Sequence, residues 1–348
     1  MPTEPEYSAA LGAESQLSHP ARVFDLHCDT IDLLAMRDRE PYAGFGLHPG
    51  DEGFTDLARN RAAVSLERME DFAWCQCFAV WVPDAYRGPE ALDFYTRARD
   101  WFYDQVERHR DRIALVRDAR QVDDLLAQGL SCAFLTLENS TPIDGDIAAV
   151  TRLAEDGVRM VTLTWNGRNA VGSGHETEDG LTPFGREVVR ALEDERIIVD
   201  ASHLNDAGFA DLLATARRPF VASHSNARAV CGAPRNLTDD QFRAIRDMGG
   251  LVGINFYNGF ITERDCASTG GATVEELLAH VEHFLDLGGQ RTLALGSDWD
   301  GSDVPRWLDT CDKVGNLRHL LAERFGAETA ERIFFTNARD FFVRNETA

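Results

Sequence analysis

Residues 197–203 read Ile197-Ile198-Val199-Asp200-Ala201-Ser202-His203, and the next apolar run reads Phe220-Val221-Ala222-Ser223-His224-Ser225. Consecutive apolar positions suit a parallel strand covered on both faces, because a half-exposed strand would alternate apolar with polar. Each run then closes on Ser-His. Polar residues gathered where parallel strands end are the mark of a barrel that builds its site at that face. Six further runs have the same character: Val23 to Asp29, Cys75 to Val82, Cys132 to Glu138, Met160 to Thr164, Leu251 to Tyr257 and Thr292 to Asp298. Segments of helical period lie between them. Thr182 and Pro183 open a helix that runs to Glu195, and Thr238 with Gln241 and Thr273 with Glu276 are two capping boxes, a hydroxyl and a reaching side chain three residues on. Strand and helix alternating eight times without repeat or linker predicts an α/β fold, a (β/α)8 TIM-type barrel. An open doubly wound sheet is the competing arrangement. Its dinucleotide-binding version lacks support, since Asp29 leads into Thr30, Ile31 and Asp32 rather than a glycine-rich turn.

The 348 residues suit one barrel domain over 21–348 behind a loose tail over 1–20, which has no secretory signal. A net charge of −23 disfavours nucleic acid and anionic membranes as partners. No apolar run approaches the ~20 residues that cross a bilayer. Seven cysteines without a CxxC pair do not form a disulfide framework, so a cytoplasmic, reducing location is expected, with Cys75, Cys77 and Cys132 as small buried hydrophobes. The segment from Arg37 to Gly53, rich in Gly, Pro and charge, reads as an active-site loop.

The candidate site residues are the polar ends of the runs. In Phe24-Asp25-Leu26-His27-Cys28-Asp29, His27 and Asp29 stand two apart on a strand, which directs them to one face, where one nitrogen and one oxygen can grip one metal ion; a satisfied His beside a solvated Asp is the alternative. Glu138 ends Phe134-Leu135-Thr136-Leu137-Glu138; a carboxylate buried there needs a cation or hydrogen-bond donors, and a helix cap or salt bridge is the alternative. His203 and His224 supply imidazoles, ligands suited to zinc and also to manganese, iron or cobalt. Asp298, at the end of the eighth run, can exchange a proton, and Asp300 hydrogen-bonds the loop. His48, His109, His175, His280, His283 and His319 read as surface or packing residues.

Taken in order, these segments, with Arg235-Asn236-Leu237-Thr238-Asp239-Asp240, Asn255-Phe256-Tyr257 and Gly296-Ser297-Asp298-Trp299-Asp300-Gly301, resemble the membrane (renal) dipeptidase family of the amidohydrolase superfamily over nearly the whole chain. The resemblance implies two divalent metal ions, zinc by expectation, with His27 and Asp29 on one, His203 and His224 on the other, Glu138 bridging and a hydroxide between. It implies Asp298 as proton shuttle, Arg235 binding the carboxylate of a dipeptide substrate, and Tyr257 lining the same pocket. Read without it, Arg235 is an ordinary surface arginine. Animal members carry a histidine after Leu-Thr on the fourth strand, where this chain reads Leu163-Thr164-Trp165-Asn166; Asn166 is expected to donate to the substrate in its place, the alternative being that the metal ions carry that task alone. The implied activity is a metal-dependent dipeptidase for small dipeptides, including those with a C-terminal D-residue, without membrane attachment and able to form a homodimer. An N-acyl-amino-acid deacylase or lactonase, and a catalytically silent metal-binding scaffold, are the alternatives.

Overall fold

The computed structural model describes residues 20–42 and 51–347. Nine strands follow in chain order: β1 Ala21–Cys28, β2 Phe72–Trp81, β3 Ile113–Leu115, β4 Ser131–Glu138, β5 Val158–Thr162, β6 Ile198–Asp200, β7 Val221–Ala222, β8 Leu251–Ile254 and β9 Leu293–Leu295. Every pairing is parallel, in the order β2-β1-β9-β8-β7-β6-β5-β4, and a further β2–β4 pairing closes the ring. Closure excludes the open sheet, and the eight ring strands are the eight runs read from the sequence. The unforeseen strand is β3. It pairs with Ser131 to Ala133 at the start of β4, on the edge that β5 takes over from Leu135 onward, so it lengthens the ladder without entering the ring.

Several strands stop short of the apolar runs that announced them. The run 197–203 is strand only over Ile198–Asp200 and the run 220–224 only over Val221–Ala222. The residues beyond leave the extended conformation, and it is these bent ends that carry the polar side chains.

Two apolar layers hold the barrel. A large cluster, including Trp74, Phe78, Val80, Phe94 and Phe102, fills the space between strands and helices. A second gathers Phe24, Cys77, Phe134, Met160, Val221 and Leu251 inside the ring with Phe341 and Phe342 of the last helix, Asn337–Thr347. Phe24 stacks on Phe134 at 5.2 Å and meets Phe342 at 4.9 Å, so this helix floors the barrel at the end opposite the site. Burying one such ring contributes about 1.5–3 kcal/mol. Inside the ring a Cβ at Gly253 or Gly296 would lie 1.9 Å from the Ser223 carbonyl oxygen, an approach that only glycine permits.

The helix opened by Thr182 runs Pro183–Asp194, and its cap accepts from the Gly185 N–H at 2.9 Å. Both capping boxes form. Cys75, Cys77 and Cys132 are buried, and all seven cysteines are unpaired. Residues 1–19 of the expected tail and 43–50 of the expected loop lie outside the described residues. Among the described residues no helix is long and apolar enough to cross a membrane.

Candidate metal centre

Four strand ends deliver five side chains to one point. Glu138 is the last residue of β4; its Oε2 lies 3.3 Å from His27 Nε2, and its Oε1 lies 2.7 Å from His203 Nε2 and 3.9 Å from His224 Nε2. His27 Nε2 also approaches Asp29 Oδ2 at 3.3 Å. All five residues are buried. Strand alternation does not explain the His27 and Asp29 pair: the β1 register slips between Asp25 and Cys28, and Asp29 sits past the strand with φ −103° and ψ 17°, at the start of the helix Thr30–Ala35. The strand break turns Asp29 toward His27. Left-handed backbone recurs at the site, with φ 71° at His203 and 62° at Asp298, conformations that cost non-glycine residues free energy and persist only when neighbours fix them.

Those neighbours also fix the imidazole tautomers. His203 Nδ1 stands 3.0 Å from Asn166 Oδ1, which accepts its proton. His224 Nδ1 stands 2.7 Å from Ser223 Oγ, whose own hydrogen is taken by Asp200 Oδ2 at 2.6 Å, so the imidazole is the donor there as well. Both Nε2 lone pairs therefore point into the site, 3.0 Å apart, beside a carboxylate oxygen. Such a set repels itself unless a cation lies among its members. His27 Nε2 and Asp29 Oδ1, both buried, have no hydrogen-bond partner. An orphaned buried carboxylate oxygen, the two neutral imidazoles of His203 and His224, and a third imidazole and carboxylates within reach of one another fit divalent cations, which would take the place of the proton on His27. Asn166, expected to donate to substrate, directs its carbonyl oxygen to His203 Nδ1, and its Nδ2 is not engaged by that contact.

Burial sets the charge states. It pushes Glu138 up to about 7 although His27 opposes it, and pushes Asp298 up to about 6 against the same residue. It also drives His203 and His224 well below the usual imidazole range, assisted by Arg235 at His203 and by His27 at His224. Neutral imidazoles are the form that binds a metal. At His27 burial works in the same direction, but Asp29 and Glu138 outweigh it and raise the imidazole well above its usual range.

Asp298 lies past β9; its Oδ2 accepts from Asn255 Nδ2 at 3.0 Å, and its carboxylate joins His27 and Asp29 in one potential ligand group. Gly301 makes room, since a Cβ there would stand 2.0 Å from Asp29 Oδ2. Asp300 ties the loop as expected, accepting from the Ala63 N–H at 2.7 Å and from Thr30 Oγ1 at 2.5 Å. Arg235 is buried, not a surface arginine. It donates to Ser225 Oγ and to the His224 carbonyl, both at 3.3 Å, and its guanidinium lies 5.3 Å from the Phe260 ring. Tyr257 packs edge-on against Phe260 at 4.7 Å, the same ring that the Arg235 guanidinium approaches. No carboxylate forms an ion pair with Arg235 among the described residues, Nε has no partner, and burial lowers its pKa to about 10. A buried cation without a counter-ion is a place for an anionic ligand group.

Of the residues read as surface or packing, His109, His283 and His319 pair with Asp56, Asp239 and Glu323. His280 is buried packing, and His48 lies outside the described residues. His175 departs from that reading: its ring is 6.2 Å from the His203 ring, its Nδ1 is unpartnered, and burial followed by the charge of Arg235 lowers it to about 4. Asp200, Ser223 and Asn255 join the site through the hydrogen bonds given above, without a sequence expectation of their own. The signal available for Asp200 was an acid inside an apolar run.

A His and carboxylate cluster at the mouth of a closed parallel barrel defines a metal-dependent hydrolase of the amidohydrolase type. The sequence pattern of the membrane dipeptidase family, peptidase family M19, matches residues 13–339, and the chain belongs to that family and is a metal-dependent dipeptidase. Its structure is similar to dipeptidase AC, a metallopeptidase of family M19, with a TM-score of 0.83 and 27% identity over 95% of this chain and 100% of that one. It is also similar to a metallopeptidase from Rhodobacter sphaeroides bound to a phosphinate mimic of the dipeptide L-Ala-D-Ala, with a TM-score of 0.82 and 25% identity over 94% and 99% of the two chains. An uncharacterized dipeptidase of Schizosaccharomyces pombe is 33% identical over 207 residues, 58% of this chain and 49% of that one.

Proposed function

We propose that the protein hydrolyses small dipeptides with a free C-terminal carboxylate, including those ending in a D-residue, using two zinc ions held by these five side chains. The carrying observation is the division of Glu138: one oxygen faces His27 at 3.3 Å, and the other faces His203 at 2.7 Å and His224 at 3.9 Å. That division supports His27 and Asp29 on one ion, His203 and His224 on the other, and Glu138 between them. When bound, such a pair supplies the hydrolytic nucleophile at neutral pH and polarises the scissile carbonyl.

The chain's own residues do the rest. Asn255 holds one oxygen of Asp298, which leaves the other to take up a proton and hand it to the departing amine, and a carboxyl raised to about 6 suits both directions. Arg235 pairs its forked guanidinium with the substrate carboxylate, and Tyr257 borders that pocket. Asn166 keeps His203 in its ligand tautomer. The L-Ala-D-Ala mimic bound by the Rhodobacter relative supports the D-residue. Seven unpaired thiols support a reducing, cytoplasmic location.

The test is a panel of L,L and L,D dipeptides beside N-acyl amino acids and lactones, assayed with added zinc. Dipeptides are expected to be the preferred substrates, with hydrolysis lost on chelation. Preference for an N-acyl amino acid or a lactone would move the reading to another amidohydrolase chemistry.

A further inference from the structure

Two fully buried aspartates outside the ligand set, Asp25 on β1 and Asp200 on β6, make the same pair of hydrogen bonds with a serine just past a neighbouring ring strand, β9 in the first case and β7 in the second. Asp25 Oδ1 accepts from the Ser297 N–H at 2.8 Å and Oδ2 from Ser297 Oγ at 2.6 Å. Asp200 Oδ1 accepts from the Ser223 N–H at 2.8 Å and Oδ2 from Ser223 Oγ at 2.6 Å. Each serine is thus gripped by main chain and side chain together, which fixes the direction in which the chain leaves the strand. Ser297 immediately precedes Asp298, and Ser223 immediately precedes His224. The remaining valences are also filled: Gln76 Nε2 donates to Asp25 at 2.6 Å, and Thr162 Oγ1 and the Ser202 N–H donate to Asp200 at 2.7 and 2.9 Å.

The two serines differ in what their hydroxyls touch next. Ser223 Oγ continues to His224 Nδ1 at 2.7 Å, forming a carboxylate, hydroxyl, imidazole relay. Ser297 Oγ meets the His27 carbonyl at 2.9 Å and leaves Asp298 to be held through its left-handed backbone, φ 62°. A neutral residue would satisfy a strand end at less desolvation cost than a buried carboxylate, so geometry, not simple hydrogen-bond satisfaction, accounts for two acids in matched places.

We infer that Asp25–Ser297 and Asp200–Ser223 are one positioning device used twice, the first aiming Asp298 for proton transfer and the second fixing the metal-facing tautomer and direction of His224. This rests on the roles proposed above for those two residues. The test compares Ser223→Ala and Ser297→Ala for zinc affinity, by competition with a chromogenic chelator, and for kcat at saturating zinc. Ser223→Ala is expected to weaken zinc by about tenfold or more, with a smaller loss of kcat. Ser297→Ala is expected to lower kcat by about tenfold or more, with a smaller loss of zinc affinity. Ser223→Thr and Ser297→Thr, which keep the hydroxyl, should recover most of each loss. Should an alanine variant not fold, the corresponding cysteine variant carries the comparison, with the same imbalance at smaller amplitude. Equal loss of both quantities in each variant, or loss of neither, overturns the inference. If the wild-type protein cleaves no dipeptide, the proposed function fails separately, and zinc affinity alone still decides the Ser223 arm.

Discussion

The Nε2 atoms of His203 and His224 face each other at 3.0 Å, while the Nδ1 of one is engaged by Asn166 and that of the other by Ser223. Two lone pairs aimed at one point beside Glu138 make sense as half of a cation cage. Folding alone gains nothing from that repulsion.

Binding of ions to the folded chain stabilises it by linkage, about 2.7 kcal/mol when free zinc is 100 times Kd. Glu138→Gln removes the shared charge, and the zinc-induced rise in Tm is expected to fall to less than half that of wild type, with dipeptide turnover lost. The comparison requires only thermal melts with zinc and with chelator. A variant whose melting responds to zinc as wild type does would remove Glu138 from the cage.

Asp298→Asn keeps the size of the side chain and removes its proton chemistry. Metal content should stay near wild type while kcat falls by about 10²–10⁴-fold, the range of general acid–base contributions. Full activity in this variant would remove Asp298 from the proton path.

Arg235→Lys retains the charge but loses the fork. For dipeptides kcat/KM is expected to drop by about 10–100-fold, a loss of about 1.5–3 kcal/mol typical of a charged hydrogen bond. For the corresponding dipeptide amides, which lack the carboxylate, the drop should be much smaller. Equal losses on acids and amides would mean that Arg235 supports the fold rather than the substrate.

His280 gives a pH prediction independent of the centre. Its Nδ1 accepts from the Ala227 N–H at 3.1 Å and its Nε2–H donates to the Ile261 carbonyl at 2.9 Å, so the ring is buried neutral, and burial lowers its pKa to about 4. The unfolded chain protonates it near the ordinary value of ~6.5 and therefore binds more protons between these two values. Its contribution is complete above pH ~6.5 and is lost as pH falls toward about 4, on the order of 2–4 kcal/mol. In His280→Gln, urea unfolding should show a shallower fall in stability across that window than wild type. An identical slope would contradict the assignment.

The ring strands are legible because burial on both faces writes an unbroken apolar run, and the candidate ligands because the runs that carry them break off at His, Asp or Glu. What was not legible follows from geometry without a local pattern. Ile113–Leu115 is a strand of three residues, too short to show a period. The runs ending at His203 and Asp298 overestimate their strands, because left-handed backbone at those residues leaves no trace in hydropathy. Arg235 could be read only through family resemblance: its burial depends on Ser225 and Phe260, which the chain brings to it by folding. The contact of Asn166 Oδ1 with His203 is not legible either, because nothing in the sequence says which way an amide points. Asp25 and Asp200, by contrast, stood in plain view as acids inside apolar runs.

The most direct test is metal analysis of the purified protein, with dipeptide hydrolysis measured before chelation, after it, and on adding zinc back. Two equivalents of divalent metal per chain, activity abolished with their removal and recovered on their return, is the predicted result. A chain that binds no metal at these residues, or cleaves dipeptides equally well without it, would contradict the account.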